Sequence, residues 1–386
     1  MEVFSHFSEV SGLQANMEKS SIYLAGVTQE VKDQIVDEMH FTVGELPFKY
    51  LGVPLSSKKL NIQQCMPLVE KMVARIKCWT TKFLSYSGRL QLIKSVLFEM
   101  QTYWAQVFLL PKKITKLITS VCRNFLWTGT ADTSRRALVA WERLCLPESA
   151  GGLNIIDVYQ WNRAAICKLL WALAAKKDTL WIQWIHSFYI KKRNLDEMLT
   201  PPQASWLVRK IFDAREWLNT TNTFATLQSH CHKGKFSIKR AYQSFLPQWP
   251  NVTWKGITMG ASTVPRHKFI TWLAIQRRLA TVDMLEKWGI KVKKKCVLCT
   301  SGRDETLDHL LFDCAYSSRI WNSLLRWMGI NRQLTKWEDE VNWLAQQMKH
   351  NRARAEILKF LFAATIYNVW IERNCRRFQG VSHESS

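Results

Sequence analysis

The spacing of four residues in the last third of the chain constrains its folding more than any other feature. Cys296 and Cys299 form a C-x-x-C; nine residues separate Cys299 from His309, and four separate His309 from Cys314. Three thiols and an imidazole at these intervals make a complete tetrahedral ligand set for zinc, a two-residue turn holding the first pair and a loop delivering the second. With four protein ligands and no open position, such a site is structural rather than hydrolytic. Two other readings stand beside it: three ordinary buried cysteines with an unrelated histidine, or a C-x-x-C redox pair. His230, Cys231 and His232 form a second Cys/His cluster, but no partner pair lies at ligand spacing.

The second constraint is charge. The chain has 54 Lys and Arg against 31 Asp and Glu, a formal net of +23 over 386 residues. A field of that sign favours polyanions, meaning nucleic acid or an acidic membrane face. Lys291, Lys293, Lys294 and Lys295 immediately precede Cys296, where they are expected to lower its thiol pKa and to meet phosphate. No uncharged apolar run reaches the eighteen or so residues needed to cross a bilayer, and the N-terminus has neither a basic start nor an apolar signal core. Ten cysteines in so long a chain argue against a disulfide framework. The expectation is an intracellular protein, not secreted and not membrane-bound, with the nucleus indicated by the lysine run.

Hydrophobic periodicity predicts a mainly α architecture. Residues 1–60 read as short mixed elements, with Tyr50 to Leu55 as a buried strand entering a turn. From Gln63 to Lys82 the apolar positions Met66, Val69, Val73, Ile76 and Trp79 recur at helical spacing. Ser87 is read as the N-cap of a second helix with the stripe Leu90, Ile93, Leu97, Met100 and Trp104. Further helices are expected at 112–127, 159–176, 268–288, 315–328 and 352–377. Proline-rich residues 200–265 read as a boundary with short elements. Trp161, Trp171, Trp181 and Trp184 fall on helical stripes, and most tryptophans are expected to anchor the core.

The segment Val264-Pro265-Arg266-His267-Lys268-Phe269-Ile270-Thr271-Trp272-Leu273-Ala274 is followed by Arg278-Leu279-Ala280-Thr281, then by Cys296-x2-Cys299. Next come Glu305-Thr306-x2-His309-Leu310-Leu311-Phe312-x-Cys314 and Trp321. Together they resemble the reverse transcriptase zinc-binding domain, which ends the polyproteins of plant LINE-type, non-LTR retrotransposons. Other segments are similar to the same polymerases: Ser11-Gly12-Leu13-x2-Asn16-x2-Lys19-Ser20, Tyr50-Leu51-Gly52-Val53, Leu84-Ser85-x2-Gly88-Arg89-Leu90-x2-Ile93-Lys94, Phe125-Leu126-Trp127, Gly151-Gly152-Leu153 and Trp370-x2-Arg373-Asn374.

The resemblance implies a palm and primer-grip remnant over 1–60, a thumb- and connection-like helical region over 61–199, and a linker over 200–234. A small zinc-binding α domain over 235–330 and a helical extension over 331–386 complete it. It further implies one structural zinc ion on Cys296, Cys299, His309 and Cys314, a primer-strand approach by Tyr50 and Gly52, and backbone contacts from Arg75, Lys82, Arg89 and Lys94. Polymerisation needs paired carboxylates that hold two metal ions, and this sequence contains no adjacent pair of aspartates. Met1 falls downstream of where the family's Tyr-Ala-Asp-Asp box would lie. The expected function is therefore sequence-independent binding of RNA or DNA without catalysis, in association with other retroelement proteins. A helical protein-interaction scaffold, or a genomic relic without a selected role, are the alternatives.

Overall fold

The computed structural model describes residues 2–381 apart from 15, 17–19, 25, 40, 51, 57, 80–83, 135, 219–221, 259–262, 334–335 and 350–351. Helices dominate it, as the periodicity predicts, and its strands are short pairs: Ser21–Ile22 parallel to Thr42–Val43, Phe48–Tyr50 antiparallel to Val53–Leu55, and Cys231–His232 antiparallel to Lys235–Phe236. No described helix is long and apolar enough to cross a membrane.

Helix α1 (Ile62–Cys78) opens with a capping box, in which the Asn61 side chain accepts from the Gln64 backbone while the Gln64 side chain accepts from Asn61. Its buried face is Cys65, Leu68, Val69, Met72 and Ile76, so the period is as read from sequence and the phase is rotated by about one position. Helix α2 (Tyr86–Leu92) is capped by Ser85, which accepts from the Gly88 backbone. The cap therefore lies two residues before Ser87, whose hydroxyl bonds the Ser85 hydroxyl instead. Through a π turn at Ile93–Leu97, α2 runs on into α3 (Phe98–Val107). Helix α4 (Lys112–Thr128) stops at Gly129, whose φ of 83° supplies the left-handed terminus, and α5 (Val158–Ala174) is capped by Asp157.

The segment expected as one helix over 268–288 is two. Helix α6 (Pro265–Ile275) starts with proline in its first turn and ends where Arg277 adopts φ 53°; a short helix, Val282–Lys287, follows. No proline or glycine signals this break. Beyond the cysteine-rich loop come α7 (Ala315–Trp327), α8 (Trp337–Gln347) and α9 (Arg352–Asn374), the last continuing as a π turn over Cys375–Gln379.

One hydrophobic core runs from Val53 through α1–α4 to Val158 and, without interruption, from Ile257 through α6–α9 to Val369. Helix α5 contributes Val158 to it and turns Ile166, Leu170 and Leu173 into a second core, built with Ile182, Ile185, Val208, Ile211, Phe212 and Leu227. Helix Ile238–Phe245 closes on α5 through Tyr242, whose ring meets Trp161 edge-on and whose hydroxyl accepts from the Asp157 backbone.

Segments far apart in sequence meet in pairs around α6. Tyr86 stacks on Phe269 and contacts Trp127, while Arg89 donates to the Leu126 carbonyl. Trp272 and Gln276 both donate to the Gly151 carbonyl, at 2.8 and 3.2 Å. At Gly152 a Cβ would stand 2.1 Å from the Leu146 carbonyl oxygen, so only glycine allows this approach.

Upstream of Val53 the packing changes. None of the described residues before it is buried, and Val3, Val10, Leu13 and Leu46 are exposed. The strand read as buried at Tyr50 is the first arm of an exposed hairpin, with Tyr50 56% accessible and Gly52 at φ 81° in the turn; only Val53 and Pro54 turn inward.

Candidate metal centre

The cysteine-rich loop is a hairpin. Cys296 donates its backbone N–H to Arg303, Glu305 donates to Lys294, and Lys295 pairs with Asp304 across the turn. At its tip the C-x-x-C curls so that the Leu298 N–H points at the Cys296 sulfur, 3.5 Å away. The second pair of donors comes from a π turn at His309–Asp313. An i to i+5 winding brings His309 and Cys314 to one side, which the tighter α winding would not, and Cys314 then caps α7. Thr306 sets the start of the turn by accepting the His309 N–H on its hydroxyl.

The result is that one donor atom from each of Cys296, Cys299, His309 and Cys314 lies within 4.8 Å of the other three, the only such His/Cys/Asp/Glu group among the described residues to include a C-x-x-C. Cys296 and Cys314 stand 4.0 Å apart through their sulfurs, and Cys299 Sγ stands 3.4 Å from His309 Nε2. A tetrahedron with Zn–S of about 2.3 Å and Zn–N of about 2.0–2.1 Å has edges of about 3.5–3.8 Å, so the donor set fits that ion. The Cys314 thiol shares its proton with Cys296, which drops the Cys296 pKa to about 5 while Cys314 rises. Backbone N–H groups of Leu298 and Cys299 and the nearby His309 add to the lowering. Lysines are not among its causes. Lys294 pairs with Glu286, Lys295 pairs with Asp304, and Lys291 and Lys293 point to solvent.

Behind the donors stands a charged clamp that sequence reading did not anticipate. Glu305 and Arg373 are buried, at 0% and 1% side-chain exposure. Glu305 Oε1 accepts from Arg373 Nε and Nη2 and from the Val282 backbone, and Oε2 accepts from Arg377 at 2.7 Å. Arg377 also donates to the Lys293 and Lys295 carbonyls, so the end of α9 grips both arms of the hairpin. His309 Nδ1 faces Asp313 at 3.7 Å, and Asp313 is held by Arg303. Trp321 hydrogen-bonds the buried Glu340, which also takes Arg332.

The residues expected to contact nucleic acid lie on several different elements. Arg75 is exposed on α1, and Lys82 lies outside the described residues. Arg89 is half-buried over the Tyr86 ring. Lys94 lines a cavity of about 350 Å³ with Glu148 and Lys268, where burial lowers its pKa. His230, Cys231 and His232 sit around a hairpin and gather no further ligands among the described residues. Trp171 is buried, as expected, but Trp184 is half exposed and stacks on the exposed Phe188.

Residues 236–321 match the family described as zinc-binding in reverse transcriptase. The chain is also similar to a putative ribonuclease H protein of Arabidopsis thaliana, with 32% identity over 154 residues, 40% of this chain and 25% of that protein. An uncharacterized mitochondrial protein of the same plant is 27% identical over 121 residues, 31% of this chain and 79% of the relative. The chain thus spans a quarter of the first relative's length. Through the matched segment it is related to the reverse transcriptases of retroelements, and the donor cluster falls wholly inside that match.

Proposed function

We infer that the chain is a zinc-stapled, nucleic-acid-binding segment of the reverse transcriptase type found in plant LINE-type retrotransposons, and that it does not itself polymerise. The convergence of Cys296, Cys299, His309 and Cys314 on one point carries the reading. The ion would staple the hairpin to the π turn, adding to the burial of Leu298, Leu310, Leu311 and Phe312 in the main core. The +23 charge supports backbone contacts that are indifferent to sequence. In this reading 1–60 corresponds to a palm remnant, 61–199 to a thumb-like region, 200–234 to a linker, 235–330 to the zinc unit and 331–386 to its extension. Its partners are RNA or DNA and other retroelement proteins, met in the nucleus.

Metal analysis of the purified chain is expected to return about one zinc per chain, lost on Cys314→Ser. Binding to labelled oligonucleotides is expected to weaken steeply with salt; a slope near zero removes the nucleic-acid part of the reading. Nucleotide incorporation in a primer-extension assay would overturn the statement that the chain does not polymerise. A protein-interaction scaffold is the second reading, favoured by the exposed Trp184 and Phe188 pair. Its signature is normal zinc loading with no oligonucleotide bound even at low salt.

A further inference from the structure

Helix α4 carries Lys112, Lys113, Lys116 and Arg123 and no carboxylate. Burial of Ile114, Ile118, Cys122 and Phe125 fixes which side of it faces inward. On another side Lys112, Lys116, Thr119, Ser120 and Arg123 recur every three or four residues and form one wall of a groove of about 780 Å³. Tyr159 from the start of α5 and Trp249 from the loop after helix Ile238–Phe245 form the facing wall. Trp249 is 49% exposed, so a broad aromatic surface is open to a ligand. Lys112 reaches across, with its ammonium 5.6 Å from the Tyr159 ring centre.

Two carboxylates also line the groove. Asp157 is engaged in capping α5, and Glu142 is exposed at the rim. Neither forms an ion pair with Lys116 or Arg123, and the one hydrogen bond of Arg123 is a long contact of 3.5 Å to Ser120. The cationic wall from Lys112 to Arg123 covers twelve residues, eleven rises of 1.5 Å or about 16 Å. Cations and hydroxyls in a row suit successive phosphates, whereas an aromatic face opposite them suits a base. A base can reach that face only when it is not already stacked within a duplex.

We propose that this groove binds a single-stranded stretch of nucleic acid, its phosphates along Lys112, Lys116 and Arg123 and a base stacked on Trp249. The assignment rests on the nucleic-acid reading above and moves its contact surface away from Tyr50, Arg89 and Lys94.

The test uses the full zinc-loaded chain and fluorescence anisotropy with a labelled oligothymidylate of about fifteen nucleotides and a duplex of the same length. Lys116→Glu/Arg123→Glu is expected to weaken single-strand binding by at least about tenfold and to lower the salt slope by about 1.4, two contacts at about 0.7 each. Trp249→Ala is expected to cost about 5- to 150-fold with the slope unchanged, and Trp249→Phe to recover most of it. Lys287→Glu/Lys349→Glu, the same charge change on exposed positions elsewhere, is expected to stay near wild type. All variants are compared at matched zinc content and melting midpoint, which both groove variants should keep because they alter exposed or half-exposed side chains. Wild-type binding with groove variants indistinguishable from wild type overturns the groove and leaves the proposed function standing. No binding by the wild-type chain at low salt overturns both. Tighter binding of duplex than of single strand, with Trp249→Ala silent, overturns the single-strand assignment.

Discussion

Replacing Glu305 by glutamine exchanges one carboxylate oxygen for an NH₂ group and leaves the shape intact, so it isolates the charge at the centre of the clamp. In the wild-type chain both carboxylate oxygens are used: Oε1 accepts three N–H groups, two of them from Arg373, and Oε2 accepts one from Arg377. An amide can keep one side of this arrangement; its NH₂ then confronts a guanidinium N–H across the other. At least one charge-assisted bond is lost outright, about 1.5–3 kcal/mol, and those that remain fall toward the neutral range of about 0.5–1.5 kcal/mol each. Two guanidinium groups also stay buried beside a neutral partner, which fits the cost of about 3–5 kcal/mol for breaking a buried pair from one side. Glu305→Gln is therefore expected to destabilise the zinc-loaded chain by about 3–5 kcal/mol, a shift of two to three and a half decades in the folding constant. Urea unfolding followed by tryptophan fluorescence reads this directly, and zinc transfer to a chelator should accelerate because Arg377 no longer fixes both hairpin arms. Loss of under about 1 kcal/mol with unchanged zinc transfer would refute the clamp.

Asn162 is buried and fully used, donating to the Ala105 and Phe108 carbonyls at 2.8 Å each and accepting from the Leu110 backbone at 2.7 Å. Asn162→Ala strands three backbone groups where α3 meets α4 and is expected to cost about 2–4 kcal/mol by equilibrium unfolding; under 1 kcal/mol would contradict it. Gly152→Ala drives a Cβ into the Leu146 carbonyl and is expected to destabilise by about 2–4 kcal/mol, while Gly88→Ala, with its Cβ in ordinary contact inside α2, should stabilise by about 0.5–1 kcal/mol. Burial, with Arg266 adding to it, lowers the pKa of His267 below its ordinary 6.5, so the folded chain takes up fewer protons than the unfolded one. This contribution is whole above pH 6.5 and is lost as pH falls through the lower folded value. His267→Phe, which keeps a ring against Tyr367, should flatten that acid-side loss in pH-dependent melting, and an unchanged profile would rule His267 out.

What sequence made legible was local. The C-x-x-C and its two partners lie within 19 residues, and their spacing alone fixed the donor set now found converged. Helices α4, α5 and α7 follow their apolar periods to within two residues. The break after Ile275 left no such mark, because Arg277 rather than glycine takes the left-handed position of a Schellman terminus, its N–H on the Ala274 carbonyl and the Arg278 N–H on that of Leu273; its guanidinium then forks to Asp308 and Glu338. Arg89 and Lys94 were expected on the nucleic-acid backbone from the resemblance, yet Arg89 turns to the Leu126 carbonyl on α4 and Lys94 lies in a cavity beside Glu148, which belongs to the short Glu148–Ala150 turn. The lysines before Cys296 illustrate the same limit; Glu286 and Asp304 reach them through folding, not through adjacency. Glu305 and Arg373 each stood in a recognisable motif, but nothing in the linear text says that one motif is the counterion of the other.

The clamp fixes how short a self-sufficient piece of this chain can be. A fragment cut at residue 321, where the family match stops, would retain all four sulfur and nitrogen donors and still discard Arg373 and Arg377, leaving Glu305 as an unpaired acid inside the fold. It would also remove Glu340 from Trp321 and Phe362 from Phe312. Measured by what must be inherited together, the metal module extends some sixty residues past its last ligand, and a stop codon anywhere in α9 would disable the hairpin without touching a single cysteine.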